Sequence, residues 1–274
     1  MKSDYTILVS SCDAYRDLWD PFFTILKANW PELAQQEIIL NTEEETYAFE
    51  GLQVRTLGLY QNKAVPTWSQ RLKDHLLAIE SEYVLFLLED FFLEAPVDQS
   101  KIDACLGYLQ QNNQIAHFSF VPTLWECIED GKFEGYVRRK QATPYKVNTQ
   151  IGLWRKKELL ALLRMHESPW EFEIYSNIRA RLRPRKYYCA IKGQPQAFTY
   201  DAVLGGAVHR GKWTPIGVEL LQKHGIEIDL SVRGMDDKPC DLSELDVRTE
   251  DEQTVLGRLK IRLNVIRKHW RSLI

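Results

Sequence analysis

The sequence predicts an α/β protein with a mixed, mainly parallel sheet, helices on both faces and a C-terminal helical extension. Three observations predict it. The first half alternates short apolar runs with segments of helical period, the pattern of strands joined by covering helices. The run Tyr83 to Leu88 is apolar throughout, as expected of a strand buried on both faces. It ends abruptly in Glu89-Asp90. Ligands of open α/β sheets bind beyond the carboxyl ends of such strands. Two acids there are placed to hold a divalent cation, and the cation to hold a phosphate.

The elements follow in order. Tyr5 to Val9 reads as the first strand, Ser10 to Asp13 as a turn and Leu18 to Ala28 as a helix. Ile38 to Asn41 and Leu52 to Leu57 read as strands, with the polar stretch Thr42 to Glu45 after the first. Trp68, Leu72, Leu76 and Ile79 have helical spacing, with Thr67 or Ser69 as cap. Asp98 to Gln111 is a helix and Ala116 to Val121 a strand. Trp125 to Pro144 reads as a hairpin or loop, and Val147 to Trp154 is strand-like. Helices are expected over Lys156 to Met165, from Pro169 to about Leu182, and over Gly217 to His224, the last ended by Gly225. The stretch Gly205 to Thr214 reads as a loop.

Residues 1–230 are expected to form one domain and 231–274 an extension. The extension divides by charge. Asp236 to Glu252 is acidic, whereas Thr254 to Ile274 carries only basic charges and repeats apolar residues along one helical face. Such a face suits an anionic membrane surface, packing against the domain, or a homodimer contact.

Composition narrows the function. A 45% apolar fraction in 274 residues supports a real core, and a net charge of −3 gives no global argument for nucleic-acid binding. Five cysteines without C-x-x-C spacing read as reduced thiols of a cytosolic protein, not as a zinc site or a disulfide framework. No leader-like apolar run follows Met1, and no stretch of about 20 apolar residues occurs. The expected location is therefore the cytoplasm, peripheral at the inner membrane face if the last helix binds lipid. Eight Trp and twelve Tyr suit either a rich core or a cleft lined with flat rings.

Four constellations carry chemistry. The first is Glu89-Asp90. Adjacent strand residues point to opposite faces, so the chain must turn there, with Asp90 as ligand and Glu89 as its supporting acid. The second is Glu171 and Glu173, in the first turn of a helix opened by Pro169. The helix end alone favours acids there. Burial against Trp170 would instead raise a carboxyl pKa toward that of a general base. The third is Gly205 to Trp213, where glycines with His209, Arg210 and Lys212 make a cationic loop able to fold over a phosphate. Its G-x-x-x-x-G-K spacing is a decoy, because Trp213 stands where a P-loop needs Ser or Thr. The fourth is Ser69 and Arg71, at the start of the helix before the acid-tipped strand.

In this order the pieces resemble nucleotide-sugar-dependent glycosyltransferases of the GT-A fold, of the bacterial surface-polysaccharide type. The resemblance runs from the first strand, with Ser11 and Asp13, through Trp68 to Leu72 and Leu87 to Asp90. It continues at Gly152 to Glu158 and at Trp170 to Ile174. The signature is Glu-Asp-Phe rather than D-x-D, and Glu stands at the base position where the family usually has Asp.

The resemblance implies a donor site of Ser11, Asp13, Ser69, Arg71, Glu89, Asp90, His209, Arg210 and Lys212. It implies Mn²⁺ or Mg²⁺ at Asp90 and His209, Glu171 as catalytic base, and Glu173 as supporting acid. Trp154, Trp170 and Trp213 would be sugar platforms for a glycan or lipid-linked acceptor. The implied reaction is transfer with inversion. A nucleotidyltransferase is the nearest alternative, but Ser10 to Asp13 lacks the glycine-rich basic loop expected there. A non-catalytic nucleotide- or sugar-binding protein on the same fold is the other.

Overall fold

The computed structural model describes residues 4–123, 125–201 and 206–236. Gly205, most of the acidic segment and the basic segment from Thr254 to Ile274 lie outside the described residues. Nine strands form one sheet: β1 (Tyr5–Ser10), β2 (Glu37–Asn41), β3 (Gln53–Arg55), β4 (Tyr83–Leu88), β5 (Ile115–Pro122), β6 (Cys127–Phe133), β7 (Tyr136–Arg139), β8 (Gly152–Arg155) and β9 (Lys186–Ala190). Their spatial order is β3-β2-β1-β4-β8-β5-β9-β7-β6. The β3-β2-β1-β4 block is parallel, and β5 pairs β9 parallel. Strand β8 runs antiparallel between β4 and β5, and the β6–β7 hairpin adds an antiparallel edge to β9. This is the mixed α/β class that the sequence predicts.

Alternation along the strands splits the apolar residues between two cores. On one face Ile7, Val9, Leu85 and Leu87 pack with α1 (Trp19–Asn29) and α3 (Gln99–Gln111). On the other Leu8, Val84 and Phe86 pack with α2 (Trp68–Ala78), α4 (Lys156–Leu162) and α5 (Pro169–Arg181). All six residues of β1 are buried, as expected of a central strand.

The chain leaves β1 toward β2 and β3, then returns to place β4 on the other side of β1. The order therefore reverses between β1 and β4. Ser10 pairs both Asn41 and Leu88, so the turns after β1, β2 and β4 emerge side by side at that reversal.

Local chemistry sets the helices that flank this end. The Thr67 hydroxyl caps α2, accepting from the Gln70 amide at 3.2 Å. Ser168 and Glu171 form a reciprocal capping box at the start of α5. Behind it, Arg179 grips Glu167 through two 2.6 Å hydrogen bonds, both side chains being buried.

Two departures from the sequence reading matter. Strand β9 was not anticipated. Its Tyr187 to Ala190 run is buried on both faces and too short to show alternation. The expected loop before Thr214 contains a hairpin, β10 (Val208–His209) with β11 (Lys212–Trp213), followed by α6 (Pro215–Lys223).

The fully buried His117 ring stacks on Trp154 at 3.9 Å, and burial holds its pKa well below the ordinary value. Gly152 makes room for it, because a Cβ there would collide with His117 Nε2 and lie 2.9 Å from the Phe118 carbonyl.

Glu167→Ala is expected to lower the unfolding free energy by about 3–5 kcal/mol, since it strands the buried Arg179 guanidinium. Urea unfolding checks this, and an unchanged midpoint would show that the pair does not brace α5.

Candidate functional site

The turn after β4 carries the acid pair. Glu89 is buried, and Asp90 Oδ1 is fully enclosed without a hydrogen-bond partner. The Asp90 carbonyl accepts from the Ala207 amide at 2.7 Å. Gly206, at φ +85°, lies so close that a Cβ would sit 2.5 Å from that oxygen. The late glycine segment is thus folded directly onto the acid turn.

Burial raises the pKa of both acids, and for Glu89 the neighbouring Asp90 adds to the shift. The guanidinium of Arg233 opposes the rise in both.

The hairpin β10–β11 turns through Arg210 at φ +51° and Gly211 at φ +81°, the two left-handed positions of a two-residue hairpin turn. Val208 and Trp213 face the core, which leaves His209 and Lys212 on the opposite side. His209 Nδ1 is 2.6 Å from an Asp236 carboxylate oxygen. Residues 229–236 close the outside. Gly234 accepts from the Trp213 amide at 3.0 Å. Arg233 binds Asp17 at 2.5 and 2.6 Å and covers the Tyr15 ring at 4.3 Å.

The turn after β1 is held from below. Ser11 accepts from Trp19 Nε1 at 2.8 Å. Buried Arg71 reaches the Ser11 carbonyl at 3.1 Å and pairs with Glu43. The Asp13 carboxylate accepts from the amides of Glu43, Glu44 and Glu45 at 2.8–3.1 Å. Burial works against its ionisation, but these three donors outweigh it and hold the pKa below the usual range. Asp13 therefore ties the β1 turn to the β2 turn. Ser69 is fully buried, and its hydroxyl has no partner.

Glu171 and Glu173 are sorted by α5. The Glu171 carboxylate accepts from the Ser168 amide and hydroxyl, both at 3.0 Å, closing the capping box. Trp170 is 75% exposed, so it does not desolvate a neighbouring acid as expected. Glu173 Oε1 accepts from the Thr149 amide at 2.7 Å and hydroxyl at 2.8 Å, and burial raises its pKa.

Thr149 connects Glu173 to the acid pair. The next residue, Gln150, accepts from the Tyr200 hydroxyl at 2.6 Å, and Tyr200 packs on Phe91 at 4.6 Å, next to Asp90. Contacts thus run from Glu173 through Thr149 and Tyr200 toward the acid turn, whereas Glu171 is engaged by its own helix start.

Two of the expected sugar platforms are corrected. Trp154 lies between β-strands against His117, and Trp213 packs beside Phe92, both with at most 1% exposure. Neither offers a ring face to a ligand, and only Trp170 does.

Sequence reasoning missed Glu43, Thr149, Tyr200 and Arg233. Only Glu43 gave a signal, in the acidic run after the second strand.

No group of three metal-ligating side chains converges among the described residues. No described helix is long and apolar enough to cross a membrane.

No family model matches the chain, and no curated protein matches it. Solved structures do. TarS 1-349 of S. aureus is 9% identical over 85% of this chain and 68% of its own, with TM-score 0.47. A cytidylyltransferase of Leptospira borgpetersenii is 13% identical over 66% and 74%, with TM-score 0.42. Glucosyl-3-phosphoglycerate synthase of Mycobacterium tuberculosis is 14% identical over 82% and 81%, with TM-score 0.40. At these values the likeness transfers no site residue, and the chemistry has to come from this chain's own geometry.

The pH dependence of stability tests the Asp13 bracket. Its folded pKa is below the unfolded value, so its contribution is present above about pH 4 and lost as pH falls through the folded pKa. Urea midpoints of wild type and Asp13→Asn should differ at pH 7, and the gap should shrink as pH falls below about 4. A gap unchanged with pH would show that the charge is not what the amides hold.

Proposed function

We propose that the chain is a glycosyltransferase that moves a sugar from a nucleotide-sugar donor to a hydroxyl of a glycan acceptor, with inversion. The observation that carries this reading is the cationic hairpin seated on the acid turn, at the end of the sheet where the strand order reverses. A nucleoside diphosphate needs both partners there.

A divalent cation fits the residues present. Asp90 Oδ1 is an enclosed carboxylate oxygen with no partner, and His209 has its Nδ1 held by Asp236, as the second shell of a ligating histidine commonly is. Mg²⁺ and Mn²⁺ sites often take one or two protein ligands and complete the shell with water and phosphate. When bound, the ion would neutralise charge on the departing diphosphate.

The chain's own residues do the rest. Ser11, with Asp13 and Arg71 behind it, shapes the wall on the nucleoside side. His209, Arg210 and Lys212 offset the diphosphate charge from the hairpin. Glu173, fixed through Oε1 by Thr149, takes the proton of the acceptor hydroxyl as it attacks the anomeric carbon from the face opposite the leaving group. Its raised pKa suits that task. Trp170 offers an exposed ring for the acceptor glycan.

Glu173→Gln is expected to lower turnover by about 10²–10⁴-fold while donor binding is kept. Glu171→Gln should cost about 1 kcal/mol of stability and leave turnover near wild type. Asp90→Asn should weaken donor binding. Calorimetric titration of nucleotide sugars with and without Mn²⁺, together with transfer assays, checks all three. Loss of turnover in Glu171→Gln alone would return the base to that residue. Donor binding without hydrolysis or transfer would mark a binding protein.

A further inference from the structure

A second charged cluster lies beneath α5, away from the acid turn. Arg139, at the end of β7, and Lys146, in the segment leading to β8, are 2% and 1% exposed. Neither has a carboxylate partner among the described residues. Arg139 donates to the Tyr145 carbonyl, and Lys146 donates to Gln141 Oε1 at 2.5 Å.

Three acids near this edge are committed elsewhere, and Glu129 and Glu134 are exposed. Glu158 holds Arg183 and Arg185 at 2.8 and 2.7 Å, Asp130 holds Arg138 at 3.1 Å, and Glu126 holds Lys140 at 2.5 Å.

Two buried unit charges without a counter-charge are costly. The protein offsets them only in part. Gln141 Nε2 donates to the Arg181 carbonyl at 2.6 Å and so connects Lys146 to the C-terminal end of α5, which carries about half a negative charge. Lys146 Nζ also lies 4.8 Å from the centre of the Tyr187 ring. More than one positive charge is left over.

Donors are left over as well. Arg139 Nε, the Tyr187 hydroxyl and the Ser176 hydroxyl are buried without acceptors. Arg139 and Tyr187 come from β7 and β9, with the Tyr187 ring next to Lys146, and Ser176 comes from α5. Buried groups of this kind call for a partner. His117, on the same face of the sheet, is kept neutral and supplies no charge to compensate.

We infer that Arg139 and Lys146 share a binding site for a small inorganic anion, a halide or a single oxyanion. The anion supplies the missing negative charge and accepts from the stranded donors. The site is independent of the proposed donor site. Its structural effect is to fasten the segment before Thr149, and so the anchor of Glu173, to the underside of α5. Burial and the nearby Arg181, Arg138 and Arg139 push the Lys146 ammonium down to about 8.

Thermal unfolding of the full chain tests this. Sodium chloride or sodium phosphate replaces sodium gluconate at constant ionic strength, with wild type, Lys146→Met and Lys146→Arg. The wild-type midpoint should rise with one of the two anions, by about 5 °C at a hundredfold excess over Kd. Lys146→Arg should keep the rise and Lys146→Met should lose it. A response to chloride alone would indicate a halide, and one to phosphate an oxyanion.

Where Lys146→Met does not fold, Arg139→Gln carries the same comparison. A wild-type midpoint indifferent to the anion overturns the proposal. So does an equal rise in the charge-removing variant, which would put the anion elsewhere, including at the acid turn. Lys146→Met more stable than wild type in every salt would show that the buried charge is merely tolerated.

Discussion

The contact on which the functional end depends is the hydrogen bond from the Ala207 amide to the Asp90 carbonyl. It joins residues far apart in sequence at a separation that leaves no room for a side chain at Gly206. Everything cationic in the hairpin is positioned through it. The hairpin follows directly, and the strap of residues 229–236 is laid against the hairpin. The same peptide that turns the acids out of β4 is thus the peptide that receives the basic loop. Backbone, rather than a charge pair, sets their spacing.

Around that contact, most ionisable groups are already occupied. Asp13 is taken by three amides, Glu43 by Arg71, Glu171 by its own helix start and Asp17 by Arg233. Asp90 and Glu173 differ. Each is desolvated; Asp90 keeps Oδ1 without a partner, and Glu173 is held through Oε1 by Thr149. Groups held in place yet incompletely satisfied are poor contributors to stability and good candidates for chemistry. That contrast sets Asp90 and Glu173 apart from the structural acids more sharply than their position in a motif does.

Much of this arrangement was legible in the sequence. The acid-tipped strand, the alternation of the first half and the cationic glycine segment are local patterns, and the fold brings the first and last together at one end of the sheet. What could not be read was partnership. Glu171 and Glu173 stand two residues apart in one helix turn, and only the fold shows that Ser168 claims the first and Thr149 the second. Trp154 and Trp213 could not be told from surface rings, because burial depends on which strand lies alongside. Strand β9 escaped notice because a short run buried on both faces carries no period. Arg233 gave no signal, since its role arises only when the chain returns across the β1 turn.

The two-residue turn at Arg210-Gly211 has a consequence for how this region can vary. Pairing of His209 with Lys212 makes facing a matter of parity: counted from the tip, one pair of side chains enters the core and the next stays outside. Gain or loss of a single residue within one strand would shift it out of step, pushing a cation into the core or an indole into solvent. A residue added at the tip would instead be absorbed as a three-residue turn and leave Trp213 inside. The hairpin can therefore vary in length at its tip but not along either strand.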